Sequence, residues 1–190
     1  MKHILFSLLF AVCAICTAQT NHMKFKGIPM EGTPEEYAKK LMDKGYEDLG
    51  LTNGVITLQG EFATEPDCLI FVQGSGTENK TIHCVSVTFL PQDSWNKVHT
   101  RYTMLKDLLT RKYGKPECVE RFSGGDPQME SLRFLALLND ECEYECNYEC
   151  ENGRIVLSMT KLDSSSAVVS LVYFDKQGII DNNQKILDDL

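Results

Sequence analysis

Beyond residue 18 the chain has no apolar run long enough to cross a bilayer as a helix, which needs about 20 residues. Over the same span it has no C-x-x-C pair, no G-x-S-x-G elbow and no D-x-D-x-D-G loop. These absences remove the usual sequence marks of a dithiol redox enzyme, an α/β-hydrolase and a calcium loop. Glycine is not spaced to cradle a phosphate. Gly74-Ser75-Gly76 reads as a plain loop, and the Asn79-Lys80-Thr81 sequon carries no weight. Basic residues are also scarce, with 19 Lys and Arg against 27 Asp and Glu. An acidic surface repels phosphate backbones, so nucleic acid is not an expected partner.

What is present begins with MKHILFSLLFAVCAICTA at residues 1–18. A basic start, an apolar run from Ile4 to Cys16 and a small residue at Ala18 are the layout of a signal peptide. Val12 and Ile15 are bulky where lipoprotein processing prefers small residues, which favours soluble export to the periplasm or the exterior over lipid anchoring at Cys13 or Cys16. Removal of the leader takes away Lys2 and no acid, leaving 18 basic and 27 acidic residues and a net charge of −9. Residues 19–190 are enough for one α+β domain with a substantial core.

Local signals order that domain. Thr33, Pro34 and Glu36 form the start of a helix over 33–44, with Tyr37, Ala38, Leu41 and Met42 on one face and Gly45 as its stop. Asn53-Gly54 predicts a hairpin between Tyr46–Leu51 and Val55–Phe62. Further strands are expected at Cys68–Gln73, Thr81–Leu90, Cys118–Phe122 and Ala167–Phe174. A second helix over Ser94–Tyr113 has the stripe Val98, Tyr102, Leu105, Leu109 and Tyr113, and it ends at Gly114. The run at 129–138 fits helix or strand by periodicity. Residues 176–190 read as a polar tail. Helix, glycine stop and strands occur twice, which predicts two helix-plus-antiparallel-sheet units in tandem, about 22–92 and 93–175.

The segment ECEYECNYEC at 141–150 alternates acid or Asn with Cys or Tyr. A strand places Glu141, Glu143, Glu145, Glu149 and Glu151 on one wet face and the sulfurs and rings on the other. Asn152-Gly153 suggests a two-residue turn that sets Cys150 against Ile155, Tyr148 against Leu157 and Cys146 against Met159.

Cys68, Cys84, Cys118, Cys142, Cys146 and Cys150 are the candidate disulfide cysteines of an exported chain. Four residues of strand span ~13 Å, too far for Cys142, Cys146 and Cys150 to bond one another. Full oxidation then pairs them with Cys68, Cys84 and Cys118. The alternative is a Cys68–Cys84 bond across a short loop, which leaves two thiols over. A metal-binding or thiol-redox role for 142–150 is a second functional reading, although the spacing matches neither zinc nor iron–sulfur patterns. No cofactor is implied. An enzyme is the third reading, with Cys84 and His99 as its only candidates. Trp95 is a speculative binding anchor.

HMKFKGIPMEGTPEEYAKKLMDKGYE at 22–47, RKYGKPE at 111–117 and DDL at 188–190 resemble an uncharacterised family of exported α+β proteins from Gram-negative gut bacteria, with the pattern MKFxGIPxDGTxxxFxxxLxxKG. The resemblance implies that SLRFLALL is a strand and that the cysteine-rich segment is an elaboration. In architecture alone, the tandem units are similar to the β-lactamase-inhibitor-like folds, which are secreted protein binders. The expectation is therefore a non-enzymatic binding module for a protein or another cell-envelope component.

Overall fold

The structure, a computed structural model, describes residues 21–75, 81–180 and 187. The expected leader at 1–18, the loop at 76–80 and the resembling DDL end lie outside the described residues. No helix among the described residues is long and apolar enough to cross a membrane.

A short ribbon, β1 (Lys24–Phe25) and β2 (Ile28–Pro29), precedes helix α1 (Pro34–Met42). The capping box forms as expected. Glu36 N donates to Thr33 Oγ1 at 3.2 Å, and Thr33 N donates to Glu36 Oε2 at 3.0 Å. Each orphan amide at the helix start thereby finds an acceptor. The Tyr37 hydroxyl reaches the carbonyls of Phe25 and Ile28, which pins the ribbon to the helix.

Strands β3 (Glu47–Thr52), β4 (Val55–Phe62), β5 (Glu65–Ser75) and β6 (Thr81–Thr88) follow as a meander. Asn53 and Gly54 both have positive φ, the geometry that the hairpin signal requires. Helix α2 (Trp95–Tyr113) opens the second half, followed by β7 (Glu117–Phe122), α3 (Glu130–Leu138), β8 (Cys142–Cys150), β9 (Gly153–Lys161) and β10 (Ala167–Asp175). The eight strands from β3 onward form one antiparallel sheet in the order β3-β4-β5-β6-β10-β9-β8-β7. Each half runs inward from its edge strand, and the two last strands pair at the centre. The fold is α+β, built from two helix-plus-antiparallel-sheet units as expected.

Both main helices pack on one face of this sheet: α1 on β4, β5 and β6, and α2 on β8, β9 and β10. Leu58, Ile70, Val72 and Val87 with Leu41 and Tyr37, and Ile155, Leu157, Leu171 and Tyr148 with Tyr102 and Leu105, are buried in one continuous core. Full burial of each such side chain stabilises by about 1.5–3 kcal/mol.

Three expectations need correction. Residues 130–138 are helix, not the strand that the resemblance implied. Phe122 pairs directly with Cys142, so the chain between them leaves the sheet and returns beside β7. The run ESLRFLALL also lacks β-branched residues, which suits a helix. The β8–β9 turn is Glu151-Asn152, so Cys150 faces Gly153, Tyr148 faces Ile155 and Cys146 faces Leu157. The polar tail is no tail at its start: Asp175 ends β10 with 0% exposure, and a fourth helix, α4, is described over 176–180. A Cβ at Gly178 would stand 2.4 Å from the carbonyl oxygen of Ile82, so only glycine lets α4 lie this close to β6.

Candidate functional site

One pair of the six cysteines is bonded, Cys118–Cys146, directly opposed across β7 and β8. Cys68, Cys84, Cys142 and Cys150 are free thiols, so full oxidation is not met. The Cys68–Cys84 bond fails because β5 runs on to Ser75, which moves the register outward. Cys84 then faces Gln73, while Leu69, next to Cys68, faces Thr88. Cys142, Cys146 and Cys150 share the inner face of β8 at steps of ~13 Å and do not converge on one ion. Among the described residues, Cys118, Glu120 and Cys146 do gather three ligand-type side chains. Two of these are bonded to each other, and Glu120 takes both of its short contacts from Lys106 Nζ, at 2.7 and 2.8 Å.

The free thiols are held protonated. Burial pushes Cys84 up to about 11. Burial, and then the charges of Asp140 and Glu141, push Cys142 up to about 11. Cys68 and Cys150 are also raised, chiefly by burial. Thiol nucleophiles act as thiolates, and these environments oppose that form. Cys84 lies on the outer side of the sheet in register with Phe174. His99 lies on the inner side, its ring stacked on Trp95 at 5.1 Å. The sheet stands between them, so the expected Cys84/His99 dyad is not assembled.

Trp95 is 5% exposed and packs among His99, Phe122 and Tyr144 at ring distances of 5.1–5.4 Å. It seats the start of α2 on β7 and β8 and offers no free ring to a partner.

Sequence reasoning missed Asp175. This buried carboxylate accepts from His22 Nδ1 at 2.9 Å, from the Met23 amide, and from the Gly178 amide at 2.7 Å. It ties the start of the described chain to α4. Only burial reveals its role, because a terminal aspartate before a lysine reads locally as solvent-exposed.

The face of the sheet opposite the main helices is the candidate site. Register aligns Thr57, Phe71, Ser86, Val172, Val156, Asn147 and Glu117 in one row across all strands except β3. A parallel row runs Gln59, Leu69, Thr88, Ser170, Ser158, Glu145 and Val119. Hydroxyl, aliphatic and aromatic groups mix here, and most are half-buried. Among the described residues only α4 folds over this face, at the corner beside Arg154 and Phe174.

The half of the face made by β7 to β10 carries a groove of about 530 Å³. Glu117, Glu145 and Glu149 line it with Val156 and Phe174. Arg154, the basic residue in the lining, lies over the Phe174 ring at 4.7 Å. Glu145 Oε1 accepts from the side-chain Nδ2 of Asn147 at 2.8 Å. None of the three glutamates has an ion-pair partner among the described residues. The sequence did place Glu145 and Glu149 on one wet face, but not Glu117. It gave no sign that the neighbouring strands would curve that face into a groove.

No family model, no curated protein and no solved structure matches the chain.

Proposed function

We propose that the chain is an exported, non-enzymatic binding module that holds a protein partner on the outer face of its sheet, the partner presenting a basic segment to Glu117, Glu145 and Glu149. The observation that carries this reading is an eight-stranded sheet with both main helices on one side and an acidic groove on the other. A sheet normally needs cover on one face only, and antiparallel sheets can leave the other to water. Here that face holds Phe71, Leu69, Val172 and Val156 between hydroxyls, a mixture suited to a protein interface of aromatic and aliphatic anchors with a polar rim. Three carboxylates without an ion-pair partner among the described residues supply charge complementarity and steering for a basic segment. The leader-like residues 1–18 support export, and a disulfide is in keeping with an oxidising compartment. The resemblance to exported proteins at 22–47 points the same way. No observation favours a second reading that uses Cys142, Cys146 and Cys150 chemically, since one is bonded and the other two are raised thiols at opposite ends of a strand.

The test uses the exported protein with its disulfide intact. An oligolysine peptide titrated into it is expected to bind in the groove and to be released by salt, because exposed charges are screened beyond ~8 Å at physiological ionic strength. The triple variant Glu117→Lys, Glu145→Lys, Glu149→Lys is expected to lose that binding. It should also fail to retain a protein that the wild type captures from cell-envelope extract. Capture that is indifferent to both salt and the triple variant overturns the reading.

A further inference from the structure

On the helix side of the sheet, where the two halves meet, lies a larger cavity of about 830 Å³. The β1–β2 ribbon, the tip of the β4–β5 hairpin, the last turn of α2 and the β8–β9 turn enclose it. We infer that this cleft binds a single-chain amphiphile with an anionic head, in the class of a fatty carboxylate.

Its size lies within the range of small-molecule sites. Its floor is apolar: Met23 and Tyr173 are nearly buried, and Phe62 and Tyr113 are half-buried beside them. Its rim holds Lys24, Lys26 and Lys112, and none of these has an acidic partner within ion-pair distance among the described residues. Convergence of three unpaired ammoniums is not what composition predicts for a chain of net charge −8. The heads are also positioned. Lys26 sits at a ribbon turn with φ 52°, its amine 5.8 Å from the Phe62 ring centre, and the Lys112 amine is 4.9 Å from that of Tyr113. The stems cover the aromatic floor while the charges stay at the mouth, as amphipathic side chains do.

An uncharged apolar ligand would leave those ammoniums unused, and a cation would be repelled. Glu149 and Glu151 also line the cleft. Their charge disfavours a ligand with a second negative group. One acyl chain on the floor with one carboxylate at the mouth satisfies both halves of the site. Cys150 also lines the cleft, so its thiol reports occupancy.

The experiment is calorimetric titration of the intact protein with dodecanoate below its micellar concentration, beside dodecanol and dodecyltrimethylammonium. Saturable binding of dodecanoate alone is expected, together with slower alkylation of Cys150 and unchanged alkylation of Cys142. Binding is expected to weaken by about tenfold or more in Lys24→Gln, Lys26→Gln, Lys112→Gln. These three residues are exposed, and far-ultraviolet circular dichroism checks that the variant is folded. Vesicles containing phosphatidylglycerol separate a free ligand from a membrane surface. Sedimentation with vesicles in the absence of saturable dodecanoate binding overturns the inference, as does dodecanoate binding that ignores the lysines. Glu149 lines both concavities, so the variant Glu117→Lys, Glu145→Lys, which leaves the cleft lining untouched, separates the two proposals: either binding event can be lost while the other is kept.

Discussion

Glu149 and Cys150 are neighbours in one strand, yet the pleat turns them to different sides of the sheet. On the outer side, Glu149 lines a groove with Glu117 and Glu145, none of them ion-paired among the described residues, and near the strand end it also reaches the rim of the cleft. On the inner side, Cys150 lines a larger cleft with an aromatic floor and three lysines that have no ion-pair partner among the described residues. The groove is made almost wholly by the second half of the chain, from strands in register. The cleft needs both halves, because its walls come from the ribbon and the β4–β5 hairpin as well as from α2. A surface built within one unit depends on local pairing, whereas one built between units depends on whatever locks the units together. That contrast can be broken by changing a lock that serves one side only.

Asp175 is the lock expected to matter most. It is fully buried and accepts from His22, Met23 and Gly178, so Asp175→Ala leaves donors from two segments without a partner. The expected cost is about 3–5 kcal/mol, the scale of breaking a buried charged network. Urea unfolding measures it, with Asp175→Asn as the variant that keeps the shape. In the folded population, dodecanoate binding should vanish as Met23 and the ribbon come loose, while oligolysine binding persists. Equal loss at both sites would show that the two concavities are one cooperative unit.

The disulfide is the matching lock for the groove, holding β7 to β8 from the inner face. Cys118 and Cys146 are 28 residues apart, and closing such a loop stabilises by about 3–4 kcal/mol in the chain-entropy model. Cys118→Ser with Cys146→Ser should lower the urea midpoint and free β7, which carries Glu117. Groove binding should weaken more than cleft binding. A reductant should have no further effect on the double variant, and any further fall would point to another bond.

The smallest effect is that of pH. Burial lowers His83 and His99 below the ordinary histidine value of 6.5. Below about pH 6.5 the unfolded chain therefore takes up protons that the folded chain refuses, and stability falls as pH drops toward the folded values. Above that point the contribution is fully present. Thermal melts at about pH 7.5 and 5.5 should show this decline, reduced in His99→Phe, which keeps the ring stack on Trp95. An unchanged slope in that variant would assign the decline elsewhere.

Much of the fold was legible where a signal is complete within a few residues. The Thr33–Glu36 capping box, the Asn53-Gly54 turn and the α2 stripe each have donor, acceptor or apolar partner close in sequence. Errors came where the deciding partner is distant. Asn152-Gly153 looked like a turn, but Gly153 lies in β9 without the positive φ of a turn glycine. A Cβ there would sit 2.0 Å from the carbonyl oxygen of Phe174, so the glycine is needed for close approach of β10. The misplacement was invisible locally, since the two registers put the same residues on the same face. Trp95 failed as an anchor for a similar reason: the rings that bury it, Phe122 and Tyr144, arrive from strands far along the chain.

The candidate site was half legible. Alternation in 141–151 assigned the glutamates to one wet face. The sequence alone thereby determined which side chains each strand turns inward, because that depends only on the two-residue period of the pleat. Which strands lie side by side was decided only by the tertiary structure. That choice bonded Cys118 to Cys146 rather than Cys68 to Cys84, buried Asp175, and gathered Lys24, Lys26 and Lys112 around one cavity. Packing of the two halves against each other is a long-range matter, and no short stretch of chain carries its energy.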